Sequence, residues 1–311
     1  MKLTAAVCAL TLSLAVPVAS RCAVAGFPQQ GPNRVAQLTV ECKKANYASC
    51  DSLGLMYEEG DGVAKDAKRA EELYRRACDG GHANGCTNLG VLYQNGNGVA
   101  KDAARAAKLY QRACDAGSFT GCSNLGAVYG NGDGVPKDEK LAIKLYQRAC
   151  DGGEGRGCKN LGVMYENASG VAKDMKRAAE LYEQACDKGD PGACVFSGDL
   201  YVGDQVGKDA KRAAGFYQRA CNGGNARGCS SLGALYENGG GVPKDERRAA
   251  KLYQQACEGG NARGCAFLGD LYMQGTGVAK DQGRAEQLYK QACEQGYAEG
   301  CTDLGKLKGK P

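Results

Sequence analysis

Residues 86–122 read CTNLGVLYQNGNGVAKDAARAAKLYQRACDAGSFTGC, and residues 229–265 read CSSLGALYENGGGVPKDERRAAKLYQQACEGGNARGC. The two stretches share one pattern, and that pattern returns along the chain with a period of 36 residues. One residue is missing between Cys186 and Cys221, in the segment Tyr201 to Lys208, where a loop can absorb it. A period of this length belongs to stacked supersecondary units, each unable to bury its apolar face alone.

Within one unit the spacing predicts two helices. Cys86, Leu89, Gly90 and Tyr93 fall at i, i+3, i+4 and i+7, a single buried stripe on a helix that begins near the second cysteine of a pair. A glycine inside a helix costs about 1 kcal/mol relative to alanine. Gly90 nevertheless recurs as Gly54, Gly126, Gly162, Gly198, Gly233, Gly269 and Gly305, which predicts close backbone contact with a neighbouring helix. A Gly-x-Gly-Val-x-Lys-Asp loop follows, with Val99 turned toward the core and Asp102 placed to cap the next helix. That helix runs through Ala106, Leu109, Tyr110 and Ala113 and ends at an Asp-Gly-Gly type stop with glycine as its cap. The glycine-rich loop has no preceding strand and no Gly-Lys-Ser/Thr, so it reads as a turn rather than a phosphate cradle. All tyrosines except Tyr47 and Tyr297 occupy the two positions of Tyr93 and Tyr110. An aromatic row can be a ligand platform, but at core phase it reads as packing.

The chain has 18 cysteines. Cys8 and Cys22 lie near the N-terminus, and the others form Cys-x7-Cys pairs: Cys42 with Cys50, Cys78 with Cys86, Cys114 with Cys122, Cys150 with Cys158, Cys186 with Cys194, Cys221 with Cys229, Cys257 with Cys265 and Cys293 with Cys301. The rival connectivity, Cys50 with Cys78 and onward, strands Cys42 and Cys301, whereas the short-loop pairing uses every thiol. Counting therefore selects the short loops, each contributing about 2.5 kcal/mol in the chain-entropy description. Zinc sites want closer cysteine spacing and further ligands, and His82 is the lone histidine; Cys-x-x-Cys redox motifs are absent. No metal or cofactor is expected.

The first 25 residues read as a secretory leader: Lys2, then an apolar run from Leu3 to Val18, then small residues. Cleavage fits after Ser20 or after Ala25. The second leaves no orphan cysteine and is favoured. Such a leader and so many cysteines imply a secreted or periplasmic protein. No later segment is apolar enough to span a bilayer. The net charge of +5, or +3 without Lys2 and Arg21, is spread without a basic stripe, which excludes a nucleic-acid surface. With 43% hydrophobic residues, 47 glycines, five phenylalanines and no tryptophan, the composition suits a thin core rebuilt in every unit.

Leu-Gly-x-x-Tyr, Gly-x-Gly-Val-x-Lys-Asp, Ala-x-x-Leu-Tyr-x-x-Ala-Cys and Gly-x-x-x-Gly-Cys, in that order, resemble Sel1-like repeats. With Cys-x7-Cys in every unit, residues 42–305 resemble the Helicobacter cysteine-rich protein family. The resemblance implies an all-α fold: an αα-superhelix, a TPR/Sel1-like solenoid, with one disulfide per helix hairpin. It divides the chain into a signal peptide (1–25), an N-terminal segment and capping helix (26–45, helical from about Arg34 to Cys42), seven repeats (46–81, 82–117, 118–153, 154–189, 190–224, 225–260 and 261–296), and a C-terminal half-repeat and tail (297–311). It also implies penicillin binding with weak β-lactamase activity, and hence a β-lactam or peptidoglycan-related small molecule. No residue can be carried over for that chemistry. Ser-x-x-Lys and Lys-Thr-Gly are absent, and His82 stands in a variable turn where Ser118, Glu154, Asp190, Asn225, Asn261 and Tyr297 stand in other units, which reads as a surface position.

Solenoids bind along a concave face. Asn88, Asn124 and Asn160 share one helix phase there, as do Asn95, Asn131 and Asn167 seven residues on. Asparagine amides both donate and accept, so this ladder is a candidate groove for a protein or extended peptide. It can equally be tolerated surface polarity. The matching sites in later units are Val195 and Phe196, Ser230 and Ser231, and Ala266 and Phe267, which make the C-terminal half more apolar. Asn167-Ala-Ser169 is also a glycosylation sequon, relevant only in a eukaryotic secretory route. The expected molecule is a monomeric binding scaffold, with the hydrolase as the alternative.

Overall fold

The computed structural model describes residues 32–203 and 206–309; the expected leader and its cleavage sites lie outside them. Among the described residues there are sixteen α-helices and nothing else regular. One set is α2 (Tyr47–Glu59), α4 (Ala83–Asn95), α6 (Phe119–Asn131), α8 (Gly155–Glu166), α10 (Pro191–Val202), α12 (Ala226–Asn238), α14 (Ala262–Gln274) and α16 (Ala298–Lys308). The other is α1 (Pro32–Lys43), α3 (Ala67–Asp79), α5 (Ala103–Asp115), α7 (Glu139–Asp151), α9 (Met175–Asp187), α11 (Ala210–Asn222), α13 (Glu246–Glu258) and α15 (Gln282–Glu294). Each helix packs antiparallel on the next. Helices of the first set also meet one another directly from unit to unit, except that α8 and α10 stand further apart, so this set lines the inner face and the second set forms the outer layer.

The helix boundaries follow from local chemistry. Each outer helix from α3 onward starts at an aspartate whose carboxylate accepts the N–H three residues on; Asp102 accepts from Arg105 N at 2.8 Å. Its stop is a two-residue device. Gly80 is near-helical at φ −79°, and Gly81 takes φ +88°. The first position therefore accepts Ala116, Lys188 or Gln295, while the second, at positive φ, is glycine after every outer helix except α1, where Ala45 stands.

The inner helices begin three residues before the second cysteine, as expected from the sequence, after a turn residue that serves as N-cap. Asn46, Ser118, Glu154, Asp190, Asn225 and Asn261 accept backbone N–H bonds there, whereas His82 and Tyr297 do not. That position reads as a variable turn, yet its residue types are those that cap helices. Val99 is half-buried against the core. The missing residue falls between α10 and α11, where Asp209 N still reaches Tyr201 O at 2.9 Å, as Asp102 N reaches Tyr93 O elsewhere.

The short-loop pairing is the one the structure holds. Cys42 is bonded to Cys50, Cys78 to Cys86, Cys114 to Cys122 and Cys150 to Cys158. Further along, Cys186 is bonded to Cys194, Cys221 to Cys229, Cys257 to Cys265 and Cys293 to Cys301. The paired Cα atoms stand 4.4–4.7 Å apart, and each bond closes the short turn from an outer helix to the next inner one. Most of these cysteines are buried, Cys194, Cys229 and Cys265 among them, and with alanine, leucine and tyrosine they fill a succession of core clusters along the array. The wider hairpin, inner to outer across the glycine loop, carries no covalent link and is held by packing and hydrogen bonds.

Candidate functional site on the inner helix face

That packing centres on glycine and tyrosine. A Cβ placed on Gly90 would stand 2.6 Å from Cε1 of Tyr110, and the same approach, 2.4–2.8 Å, joins Gly54 to Tyr74, Gly126 to Tyr146, Gly162 to Tyr182, Gly198 to Tyr217, Gly233 to Tyr253 and Gly269 to Tyr289. The close contact expected from the recurring glycine is thus made with an aromatic ring of the following helix. The ring passes over the inner helix, and its hydroxyl emerges beside the inner face.

Burial raises the titration of every one of these hydroxyls above the ordinary tyrosine value, so they stay protonated and act as donors. In four units the acceptor stands 16 residues earlier: Tyr74 donates to Glu58 (2.7 Å), Tyr110 to Gln94 (2.6 Å), Tyr182 to Glu166 (2.5 Å) and Tyr253 to Glu237 (2.6 Å). Val202 and Met273 occupy that place in two further units, and an aspartate following the glycine takes over: Tyr217 donates to Asp199 and Tyr289 to Asp270, both at 2.7 Å. Burial raises the Asp270 carboxyl, partly offset by the Tyr289 bond. The remaining unit has Gly130 at the acceptor position and Ala127 after its glycine. There the hydroxyl of Tyr146 meets only the Asn160 side chain from α8, and it titrates at about 12.

Three cavities open between successive inner helices, each beside one of these three departures. The first, about 360 Å³, lies between α6 and α8 and is lined by Gly130, Asn131, Lys137, Glu139, Tyr146 and Asn160. The second, about 230 Å³, includes Val202, Tyr217, Arg227, Ser231, Arg263 and Phe267. The third, about 250 Å³, includes Asp270, Met273, Tyr289, Asp303 and Lys306. A larger hollow of about 890 Å³ between Lys244–Arg248 and Gly275–Ala279 lies at the loop edge, away from this face.

The structure splits the asparagine ladder. Asn88, Asn124 and Asn160 are half-buried on the inner helices, at the seam with the preceding unit. Asn88 donates to Asp51 Oδ1 at 2.9 Å, and Asn160 reaches Tyr146. At the same position Phe196 stacks on Tyr182 at 5.1 Å, Ser231 bonds Tyr217, and Phe267 packs on Tyr253 at 5.2 Å. Asn95 and Asn131 are exposed last residues of their helices, and exposed Asn167 caps α8. The six residues therefore form two separate rows, of which Asn131 and Asn160 meet at one cavity.

His82 is less of a surface residue than its turn suggests: its side chain is 29% exposed, with Nε2 3.6 Å from Asp51 Oδ2. Burial raises the Asp51 carboxyl, opposed by its bond from Asn88 and by His82. Among the described residues no three His, Cys, Asp or Glu side chains converge on a metal position.

The Sel1 repeat model matches residues 48–82, 83–118, 120–154, 155–190, 191–225, 226–261 and 262–297. The chain belongs to the Sel1 repeat family. In the frame of these Sel1 units the glycine–tyrosine clamp lies within a repeat, and each disulfide except the first joins one repeat to the next or to the C-terminal helix. The first instead ties α1 to the first repeat. No curated protein matches the sequence. Among solved structures, a protective antigen present in uropathogenic Escherichia coli strains, displaying an SLR fold, is 30% identical with a TM-score of 0.73. That match covers 89% of this chain, which spans 60% of the antigen's length. A Sel1 repeat protein from Oxalobacter formigenes is 33% identical over 73% of this chain and 94% of its own, with a TM-score of 0.67. Cysteine rich protein B of Helicobacter pylori is 33% identical over 42% of this chain and 96% of its own, with a TM-score of 0.37. The disulfides of this Sel1 protein belong to an oxidising, extracytoplasmic compartment. Among the described residues no helix is long and apolar enough to cross a membrane.

Proposed function

We propose that this Sel1 repeat protein is a secreted or periplasmic scaffold that holds an extended segment of a partner protein along its inner helix face. The observation that carries this reading is that three cavities of side-chain size open on that one face, two repeats apart. Half-buried amides (Asn88, Asn124, Asn160) and aromatic rings (Phe196, Phe267) share one position on the inner helices, with Asn160 and Phe267 lining two of the cavities. A surface with this mixture can bond a peptide backbone and seat alternate side chains, and the disulfides keep it rigid before the partner arrives, which lowers the ordering cost of binding.

The test uses the disulfide-intact protein and peptides selected on it from a random displayed library. Asn124→Ala on the inner face should weaken the selected peptides severalfold without moving the melting temperature, while Lys101→Ala in the outer loop should leave them unchanged. Equal binding by wild type and Asn124→Ala, with loss on Lys101→Ala, would place the contact outside the inner face and defeat the reading.

A further inference from the structure

Six of the seven clamp tyrosines donate their hydroxyl proton to an acceptor oxygen supplied by their own repeat. Tyr146 does not. Its hydroxyl meets the Asn160 side chain and stands in the wall of the 360 Å³ cavity beside Gly130, whose Cβ position lies 3.8 Å from that oxygen. The rest of the lining mixes the apolar side chains of Ala127, Val163 and Met164 with the Asn131 and Asn160 amides and the Lys137 ammonium, the last paired with Glu139 at 2.7 Å.

Resting on the groove reading above, we propose that this cavity is the anchor pocket of the inner face, and that it takes a glutamate side chain of the partner segment. The ligand carboxylate would occupy the place that Glu58, Glu166 and Glu237 fill in their own repeats and accept the Tyr146 hydroxyl as they accept Tyr74, Tyr182 and Tyr253. Gln94 shows that an amide oxygen serves the same geometry, so glutamine is the weaker alternative ligand. A second observation converges on the pocket. Ser169, in its wall, follows Ala168, whose φ of +57° is one that L-residues adopt only under strain. Two departures from the repeat's stabilising pattern, Gly130 in the wall and Ala168 next to wall residue Ser169, thus fall at one cavity, and such departures gather where a site has a task other than stability.

The decisive variant is Gly130→Glu. Gly130 has helical backbone, and a Cβ there meets only Ala142 Cβ at 3.7 Å and Tyr146 Oη at 3.8 Å, ordinary contacts. The new carboxylate would reach Tyr146 from within and fill the pocket with the protein's own imitation of the ligand. Peptides selected from the displayed library on the wild-type protein should share a glutamate or glutamine. They should bind Tyr146→Phe about tenfold more weakly, the loss of one charge-assisted hydrogen bond, and Gly130→Glu not measurably, although that variant melts at a higher temperature. Peptides that lack an acidic or amide side chain, or that bind Gly130→Glu undiminished while still losing affinity on Asn124→Ala, would overturn the pocket and leave the groove standing. A library that yields no binder at all would remove the groove reading and the pocket with it.

Discussion

Tyr110 lies flat against the backbone of Gly90, so close that a methyl group on Gly90 would stand 2.6 Å from the ring. The ring has no room to withdraw, because Tyr110 is fully buried among Leu89, Ala106 and Leu109. Gly90→Ala should therefore destabilise by about 2 kcal/mol, although alanine is the better helix former, because overpacking outweighs propensity. Gly305 occupies the same repeat position in α16, but nothing lies within 4 Å of its Cβ position. There only propensity acts, and Gly305→Ala should stabilise by up to about 1 kcal/mol. Urea midpoints of the two variants should move in opposite directions; a gain from Gly90→Ala would dismiss the clamp.

Ala168 and Ala45 are the only described non-glycine residues at positive φ, +57° and +64°. The equivalent positions are glycine elsewhere: Gly96 and Gly132 for the first, Gly81 and Gly117 for the second. Left-handed backbone costs an L-residue about 1 kcal/mol or more, so Ala168→Gly and Ala45→Gly should each raise stability by about 1 kcal/mol despite the greater freedom glycine adds to the unfolded chain. Thermal melts of the single variants and of the pair decide this, and the pair should be additive, since the two turns share no contact.

The period, the helix phases, the loop and its aspartate cap were all readable in the sequence, because each rests on local rules repeated many times over. Gly90 was legible as a close approach, though its neighbour was not: spacing says that something packs there, and only the fold says that it is the ring of Tyr110. The cavities were hidden for the same reason. The column Glu58, Gln94, Gly130, Glu166, Val202, Glu237, Met273 varies visibly, yet its meaning depends on a tyrosine 15 or 16 residues later whose hydroxyl it meets. The asparagine ladder shows the converse: a shared helix phase put six residues in line, and the seam between repeats took three of them for internal contacts or half-burial.

Tyr146 titrates at about 12 rather than the ordinary 10, chiefly because it is buried. The folded state therefore keeps a proton that the unfolded state releases, so the stability tied to this group is intact below pH 10 and is lost as the pH climbs from 10 toward 12. The loss approaches about 1.4 kcal/mol per pH unit within that window. Tyr146→Phe keeps the ring on Gly126 and abolishes the titration. Between about pH 9 and about pH 11 the wild type should lose roughly 1 kcal/mol more than the variant, measured by urea unfolding soon after the pH change. Parallel pH profiles would show that Tyr146 is not held protonated by the fold.

The disulfides should differ in how readily they open. Cys301 is exposed and Cys293 half-buried, whereas both partners of Cys114–Cys122 and Cys150–Cys158 are buried among the helices of adjacent repeats. Thiol–disulfide exchange needs access to a sulfur, so limited reduction of the folded protein should open Cys293–Cys301 first. Alkylation followed by peptide mass spectrometry should find label at these two cysteines while the inner pairs remain closed. The untreated protein should yield no free thiol from any of the eight pairs in denaturant. Once opened, the last bond should cost little of the total stability, since Cys301 is exposed and packs little. Replacing Cys150 and Cys158 by alanine should instead remove about 2.5 kcal/mol, the closure entropy of a short loop, together with packing from the middle of the core. Equal cost at the two sites would mean that the bonds act on the unfolded chain alone; a larger loss in the middle means that they also position one repeat on the next.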